Sequence, residues 1–345
     1  MLRRWLVLLV VVAALLAVAG GLAGFIIPGG ERILPAGAGS VRVVVRPSET
    51  AGEIGQSLHN AGLIPSAGAF QALAELTGAG DRLQAGEYEF RRGTPMPEIL
   101  AAIRDGRTAV RTVTIPEGLR TEEITDLLAK GGIVTKDAFL AALFRAAPTQ
   151  PVFADRPKGV GWEGYLFPDT YRFPRDTSAD QVFSMMLDDF AQRVTPAVVA
   201  GFHAEGLSVY QGLTLASIVE REARAASERP IIASVFLNRL RLGMPLQADP
   251  TVQYAVGLDP ANVARFGYWK QDLSAADLQI ASPYNTYQHT GLPPGPICNP
   301  GVASIEAVAF PAKTDYLYFV AKGDGTHAFA RTLAEQEANV AKYRH

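Results

Sequence analysis

The stretch VRVVVRPSETAGEIGQSLHNAGLI, residues 41–64, changes its hydrophobic period halfway along. Val41 to Val45 are β-branched apart from Arg42 and stop at Pro47, which is the pattern of a short strand. Ile54, Leu58 and Ala61 then recur at helical spacing until Gly62 closes the run. A strand, a turn and a helix in so few residues predict a small α+β module.

Seventy residues on, the arrangement returns. Val113-Thr114-Ile115 reads as the strand and Pro116-Glu117-Gly118 as the turn. Thr121 is a natural N-cap, and Ile124, Leu127 and Leu128 form the buried stripe. Aligning Glu53-Ile54 on Glu123-Ile124 also brings Leu58 onto Leu128 and Gly62-Leu63-Ile64 onto Gly132-Ile133-Val134. Matched units at a fixed offset are the signature of a structural repeat. Between them, residues 85–90 form a strand pattern and 97–103 a helix ending at Gly106, so 40–108 reads as one α+β module. The second strand-turn-helix unit, at about 111–145, opens a larger mixed α+β domain spanning 109–345. Residues 147–177 are rich in Pro, Gly and aromatics and read mostly as loop. A helix is expected at about 178–194, a strand at 316–321 and a terminal helix from about Leu333.

On the N-terminal side, Trp5 to Ile27 is an uncharged and mostly apolar run. At ~1.5 Å per residue, a helix of that length crosses a hydrocarbon core of ~30 Å. Arg3 and Arg4 precede the run and no basic residue follows until Arg32, so the positive-inside rule places the body of the chain outside the membrane. Residues 1–29 are therefore expected to be a cytoplasmic tip and single-pass anchor, with 30–39 a linker. Ala17-Val18-Ala19 before Gly20 also fits a signal-peptide cleavage site, and that reading exports the body as well.

With 345 residues the chain has room for two or three domains. A net charge of -2 gives no electrostatic case for nucleic acid. His59, His203, His289, His327 and His345 lack the paired spacing of a zinc site, and no phosphate-cradling glycine motif stands out, so neither a metal nor a cofactor is expected. Cys298 has no partner for an internal disulfide.

Candidate chemistry lies on the helix pattern from Leu213 to Arg224. Leu215, Ile218, Val219 and Glu222 share one side; Leu213, Ala216, Ser217, Glu220 and Arg224 share the other. Glu220 thus stands over the small residues Ala216 and Ser217, with Arg224 one turn on as an expected ion-pair partner. Periodicity does not choose between Glu220 and Glu222. Downstream, Asn238, Gln247, Asp249, Thr251, Tyr254, Tyr284, Asn285, Thr286 and Tyr287 sit on or beside turns fixed by Pro and Gly. Amides, hydroxyls and flat rings in that setting suit a sugar ligand, since rings stack on pyranose faces and the polar groups bind hydroxyl and acetamido substituents.

The series A-S-I-V-E-R-E (216–222), V-F-L-N-R-L (235–240), L-Q-A-D-P-T-V (246–252), Y-N-T-Y (284–287) and G-L-P-P-G-P-I (291–297) resembles the endolytic murein transglycosylase, or YceG-like, family. The segments 163–171, 310–314 and 316–320 fit its pattern too, so the resemblance runs along essentially the whole chain. It implies an inner-membrane protein with a LysM-like module at 40–108 and a periplasmic catalytic domain. Peptidoglycan glycan strands would be the substrate, and peptidoglycan synthases are possible partners. The resemblance, not the helix geometry, selects Glu220 as the catalytic acid. Gln247, Tyr284 and Asn285 are then candidates for holding the sugar, Asp249 for capping a turn, and Glu163 for a second active-site carboxylate. A hydrolytic muramidase and a non-catalytic glycan-binding scaffold are the competing readings.

Overall fold

The computed structural model describes residues 39–145, 147–175 and 177–343. The expected anchor and nearly all of the linker lie outside these residues. Among the described residues no helix is long and apolar enough to cross a membrane. The chain divides into two compact units at Val110/Arg111, both of mixed helix and strand.

In the first unit, β1 (Ser40–Val45) pairs antiparallel with β2 (Gly86–Arg91), Val43 lying opposite Tyr88. Between them run α1 (Ala51–Asn60) and α2 (Ala67–Leu76), and α3 (Met96–Arg104) follows. Thr50 and Glu53 form a reciprocal capping box that satisfies the free N–H groups where α1 begins. Ile54, Leu58, Phe70, Tyr88, Ile99 and Ile103 are buried together as this unit's core.

Strand β3 (Val110–Thr114), whose residues from Arg111 on begin the second unit, pairs with β4 (Thr170–Pro174). Between these strands come α4 (Thr121–Lys130) and α5 (Lys136–Arg145). The two helical hairpins use the same exit turn. Gly62 and Gly132 both take left-handed φ, at 68° and 65°. In each case the residue after the glycine donates to a carbonyl five residues back, Leu63 to Leu58 and Ile133 to Leu128, both at 3.0 Å. The expected N-cap shifts by one residue. Arg120 caps α4, with Glu123 accepting the Arg120 N–H, while Thr121 is already helical.

Helices α6 (Ala179–Arg193), α7 (Pro196–Ala204), α8 (Val209–Glu222), α9 (Arg229–Arg241), α10 (Asp249–Val256), α11 (Pro260–Phe266) and α12 (Val302–Ala309) follow. A hairpin of β5 (Tyr318–Ala321) and β6 (His327–Ala330) and the terminal α13 (Leu333–Tyr343) complete the unit. Helix α8 is its axis, with Gly212 to Val219 buried without interruption and α7, α9, α10 and α12 packed around it. A helix buried on every side emerges only at its end, so chemistry on α8 has to sit in its last turn.

Candidate active site

Glu220 occupies that last turn. Its side chain is only 7% exposed, and both carboxylate oxygens are engaged. Oε1 accepts from Arg229 Nη2 at 3.3 Å, and Oε2 accepts from the Gly301 backbone N–H at 3.0 Å. Arg229 begins α9 and Gly301 is the N-cap of α12. The guanidinium is itself fixed, because Arg229 Nε donates to Ser304 Oγ at 3.0 Å. Three helix ends thus meet at one carboxyl group. The positive end of the α12 dipole adds to the attraction for negative charge there.

Arg224 does not supply the expected ion pair. Helix α8 ends at Glu222, and Ala223 turns to extended backbone, which takes Arg224 off the helix face. Nor do Ala216 and Ser217 form an open patch. Both are fully buried. Ser217 Oγ accepts the Ile297 N–H at 3.0 Å and Cys298 Sγ donates to the Ser217 carbonyl, so the 296–298 segment already fills that space.

The turn 116–118, which the sequence marks only as a change of chain direction, borders the site. Were a Cβ added to Gly118, it would lie 3.6 Å from Glu220 Cγ and 3.5 Å from Arg221 Nη1. Glu117, beside it, is exposed. Its carboxyl is nevertheless held above the usual carboxylate range by partial desolvation and the charge of Glu220, with Arg229 opposing.

Asn299 fixes this turn. Gly118 N–H donates to the Asn299 carbonyl at 2.8 Å, and the Asn299 N–H and Nδ2 both donate to the Leu119 carbonyl. Asn299 Nδ2 also reaches Glu163 Oε1 at 2.8 Å, and its Oδ1 accepts the Leu166 N–H. Glu163 accepts from the backbone and hydroxyl of Thr121 as well, and burial pushes it up to about 8. Its carboxyl therefore ties together the turn, α4 and the 296–301 segment. No signal in the sequence pointed to Asn299, whose partners come from positions over a hundred residues away.

A second wall is aromatic and cationic. Arg120 is 1% exposed and lies 4.2 Å from the Trp269 ring centroid and 4.3 Å from that of Tyr254. Arg221 stacks on Trp269 at 3.8 Å. Such cation–π contacts hold buried guanidinium groups in place without a carboxylate partner. Tyr284 packs against Tyr254, with centroids 4.7 Å apart.

The remaining sugar-binding candidates spread over several environments. Gln247 is exposed in a left-handed conformation (φ 51°), its backbone N–H bonded to the Thr286 carbonyl. Asp249 begins α10 and accepts the Tyr287 hydroxyl at 2.5 Å. Burial together with the charge of Asp249 pushes Glu222 up to about 8 against the pull of Arg239. Thr251 and Thr286 are buried and bond each other at 2.9 Å. The buried Asn285 amide spends both donors on the Leu278 and Ile280 carbonyls and accepts the Tyr287 N–H. Asn238 likewise donates to the Thr314 and Tyr316 carbonyls and lines a separate surface groove of about 510 Å³. Among the described residues no group of three or more His, Cys, Asp or Glu is placed to hold a metal ion.

A model of the YceG-like family matches residues 43–342. An endolytic murein transglycosylase of Bacillus subtilis strain 168 is 36% identical over 322 residues, covering 88% of this chain and 85% of that protein. A Streptococcus pneumoniae D39 protein of the same name is 31% identical over 340 residues; these cover 91% of this chain and 60% of the pneumococcal protein's length. The crystal structure of a yceG-like protein from Listeria monocytogenes superposes with a TM-score of 0.58 at 32% identity, covering 87% of this chain and 98% of that one.

Proposed function

The chain belongs to the YceG-like family, and we propose that it is an endolytic murein transglycosylase that cuts peptidoglycan glycan strands between MurNAc and GlcNAc. The observation that carries this reading is the placement of Glu220, sunk at the junction of three helix ends and gripped by Arg229 and the Gly301 N–H.

A glycosidic oxygen departs readily only if it is protonated as its bond breaks. Glu220 would give its proton to the GlcNAc O4 while the bond from MurNAc C1 to that oxygen breaks. The MurNAc 6-hydroxyl then attacks C1, its proton passes to the Glu220 carboxylate, and a 1,6-anhydro-MurNAc end forms. Nucleophile and electrophile belong to one sugar, so bringing them together costs little entropy and no second carboxylate is needed as nucleophile. Arg229 and the Gly301 N–H stabilise the carboxylate that exists between the two proton transfers. Tyr284, Gln247, Asp249 and Tyr287 belong to the sugar-binding surface in this reading. Asn285, Thr251, Thr286 and Glu163 shape the loops that present it, while Asn238 lies at the separate groove.

Residues 5–27 would anchor the enzyme in the inner membrane, with the body in the periplasm. Residues 40–108 would form a LysM-like module preceding the catalytic domain in sequence, and association with peptidoglycan synthases would suit action on nascent strands. The test is digestion of uncrosslinked glycan followed by product mass. An anhydro end is lighter by one water than the reducing end a hydrolytic muramidase leaves. Glu220→Gln should bind glycan, keep its fold and form no anhydro ends. Substantial cleavage by that variant would remove Glu220 from the mechanism, and binding without cleavage by the unaltered chain would favour a scaffold.

A further inference from the structure

The cleavage step proposed above, on which this inference rests, leaves Arg221 without a task. Arg221 follows Glu220 directly in the last turn of α8. Its Nη1 and the Glu220 Cγ both border the point where a Cβ on Gly118 would lie, at 3.5 and 3.6 Å from it. Cation and acid therefore flank the same glycine.

Other guanidinium groups of this unit are spent. Arg229 gives Nη2 to Glu220 and Nε to Ser304. Arg120 is 1% exposed and donates to the Gln253 and Tyr268 carbonyls. Arg239 ties segments together by donating to the Pro245, Leu246 and Leu317 carbonyls. Arg221 differs from all three. It is half-buried and forms no ion pair among the described residues. Its one hydrogen bond, from Nη1 to the Gly118 carbonyl, is 3.5 Å long, and its buried Nε has no partner in the protein. An arginine kept for structure directs its donors onto carbonyls, as Arg239 does, because unpaired donors sheltered from solvent cost free energy. Nor is the side chain loose. The guanidinium lies 3.8 Å from the Trp269 ring centroid. That ring is fixed in turn by its own N–H, donated to Glu123 Oε2 at 2.9 Å, and by Arg120 at 4.2 Å. A charged group held in place with its donors unspent is prepared for a ligand.

That ligand has to offer anionic or carbonyl oxygens, which match the guanidinium fork, and it has to hang beside the bond that Glu220 protonates. On a glycan strand the pyranose rings and their acetamido groups are neutral. MurNAc alone carries a lactyl ether, whose carboxyl group bears the stem peptide and its carboxylates. We infer that Arg221 is a substrate-recognition residue that binds a carboxyl-derived oxygen of this lactyl-peptide substituent. The strand alternates two sugars and only one of its two linkages is cut, so a cation that engages the lactyl side fixes the register in which the strand lies over Glu220.

The experiment compares the unaltered full chain with Arg221→Met, which keeps an apolar stem over Trp269 and loses the charge, and with Arg221→Lys, which keeps the charge and loses the fork. The substrates are uncrosslinked strands with their peptides, and the same strands stripped by an amidase to the free lactyl carboxylate. In Arg221→Met, KM should rise about ten-fold or more on at least one substrate while kcat stays within about two-fold. A rise on both substrates identifies the lactyl group as the ligand; a rise confined to intact strands identifies the peptide carboxylates. Arg221→Lys should recover part of the loss. An oligomer of N-acetylglucosamine, which has no lactyl group, should inhibit Arg221→Met and the unaltered chain with equal strength. An unchanged KM on both substrates overturns the inference. So does a matching loss of inhibition by the oligomer, which would make Arg221 a structural group. If the unaltered chain cuts neither substrate, strand binding measured by calorimetry gives the same comparison. Weaker binding by Arg221→Met then leaves the recognition standing and removes the proposed activity, whereas equal binding removes both.

Discussion

Burial pushes the Glu163 carboxyl up to about 8, with the charge of Glu122 adding to it and the Thr121 hydrogen bonds and Arg120 working the other way. In the unfolded chain the same group titrates near its ordinary value of 4.5. Between those two values the folded protein holds a proton that the unfolded chain has released, so stability falls as pH rises from about 4.5 to about 8. Glu222 acts in the same direction over the same window, its value also raised to about 8 by burial first and Asp249 second. Chemical denaturation at several pH values should therefore show a loss of a few kcal/mol across this range. Glu163→Gln, which stays neutral, should make the decline shallower; a variant curve parallel to the unaltered one would rule out Glu163 as its source. The same residues show what a sequence can and cannot disclose about a site. Glu220 stands out through its motif. Glu163 stands in a motif as well, yet its carboxyl is spent on Thr121 and Asn299. Glu117 sits in a Pro-Glu-Gly turn, where local chemistry accounts for Pro and Gly and leaves the carboxylate looking like a solvated side chain. What the turn does not disclose is that this carboxyl lies against Gly301, far away in sequence.

The paired helical hairpins make an element-scale prediction. Gly62 and Gly132 both leave their helices in the left-handed region, and at each the space a Cβ would enter is bordered by the end of a flexible arginine, Arg92 or Arg111. Crowding should therefore be cheap at both positions and backbone strain should dominate. Gly62→Ala and Gly132→Ala are each expected to cost about 1–2 kcal/mol in denaturant unfolding. A large loss at one position and none at the other would mean that the two turns are alike in outline only. This repeat was legible because its signal is local: a capped helix start, an apolar stripe at helical spacing and a glycine where the chain must turn. The strands β4 and β6 were not. β4 is five residues long within a stretch whose composition reads mostly as loop, and β6 is four residues long between the expected strand at 316–321 and the terminal helix. What makes β4 a strand is its pairing with β3, contributed by a segment more than fifty residues earlier. The end of α8 was misjudged for a related reason. The composition from Ala223 to Ala226 favours helix, but the chain leaves it in the structure. That departure brings Arg229 back onto Glu220 instead of Arg224.

At the scale of the molecule, the two units have separate interiors. One core is drawn from residues between Val43 and Ile103, the other from residues between Val113 and Ala309. Glu220, Arg229 and Gly301, the groups of the proposed cleavage step, all belong to the second. A domain with its own core and without shared buried residues is expected to fold alone. A fragment spanning 109–345 should therefore melt cooperatively and cut purified glycan strands with the kcat of the full chain. The first unit would then contribute to where and how tightly the enzyme engages the wall, so its removal should appear in KM or in binding to insoluble peptidoglycan. Circular dichroism melts and product mass on the same preparation decide the matter. A folded fragment that no longer cuts, while the full chain does, would mean that residues before Arg111 complete the active site, and the division of labour argued here would have to be abandoned.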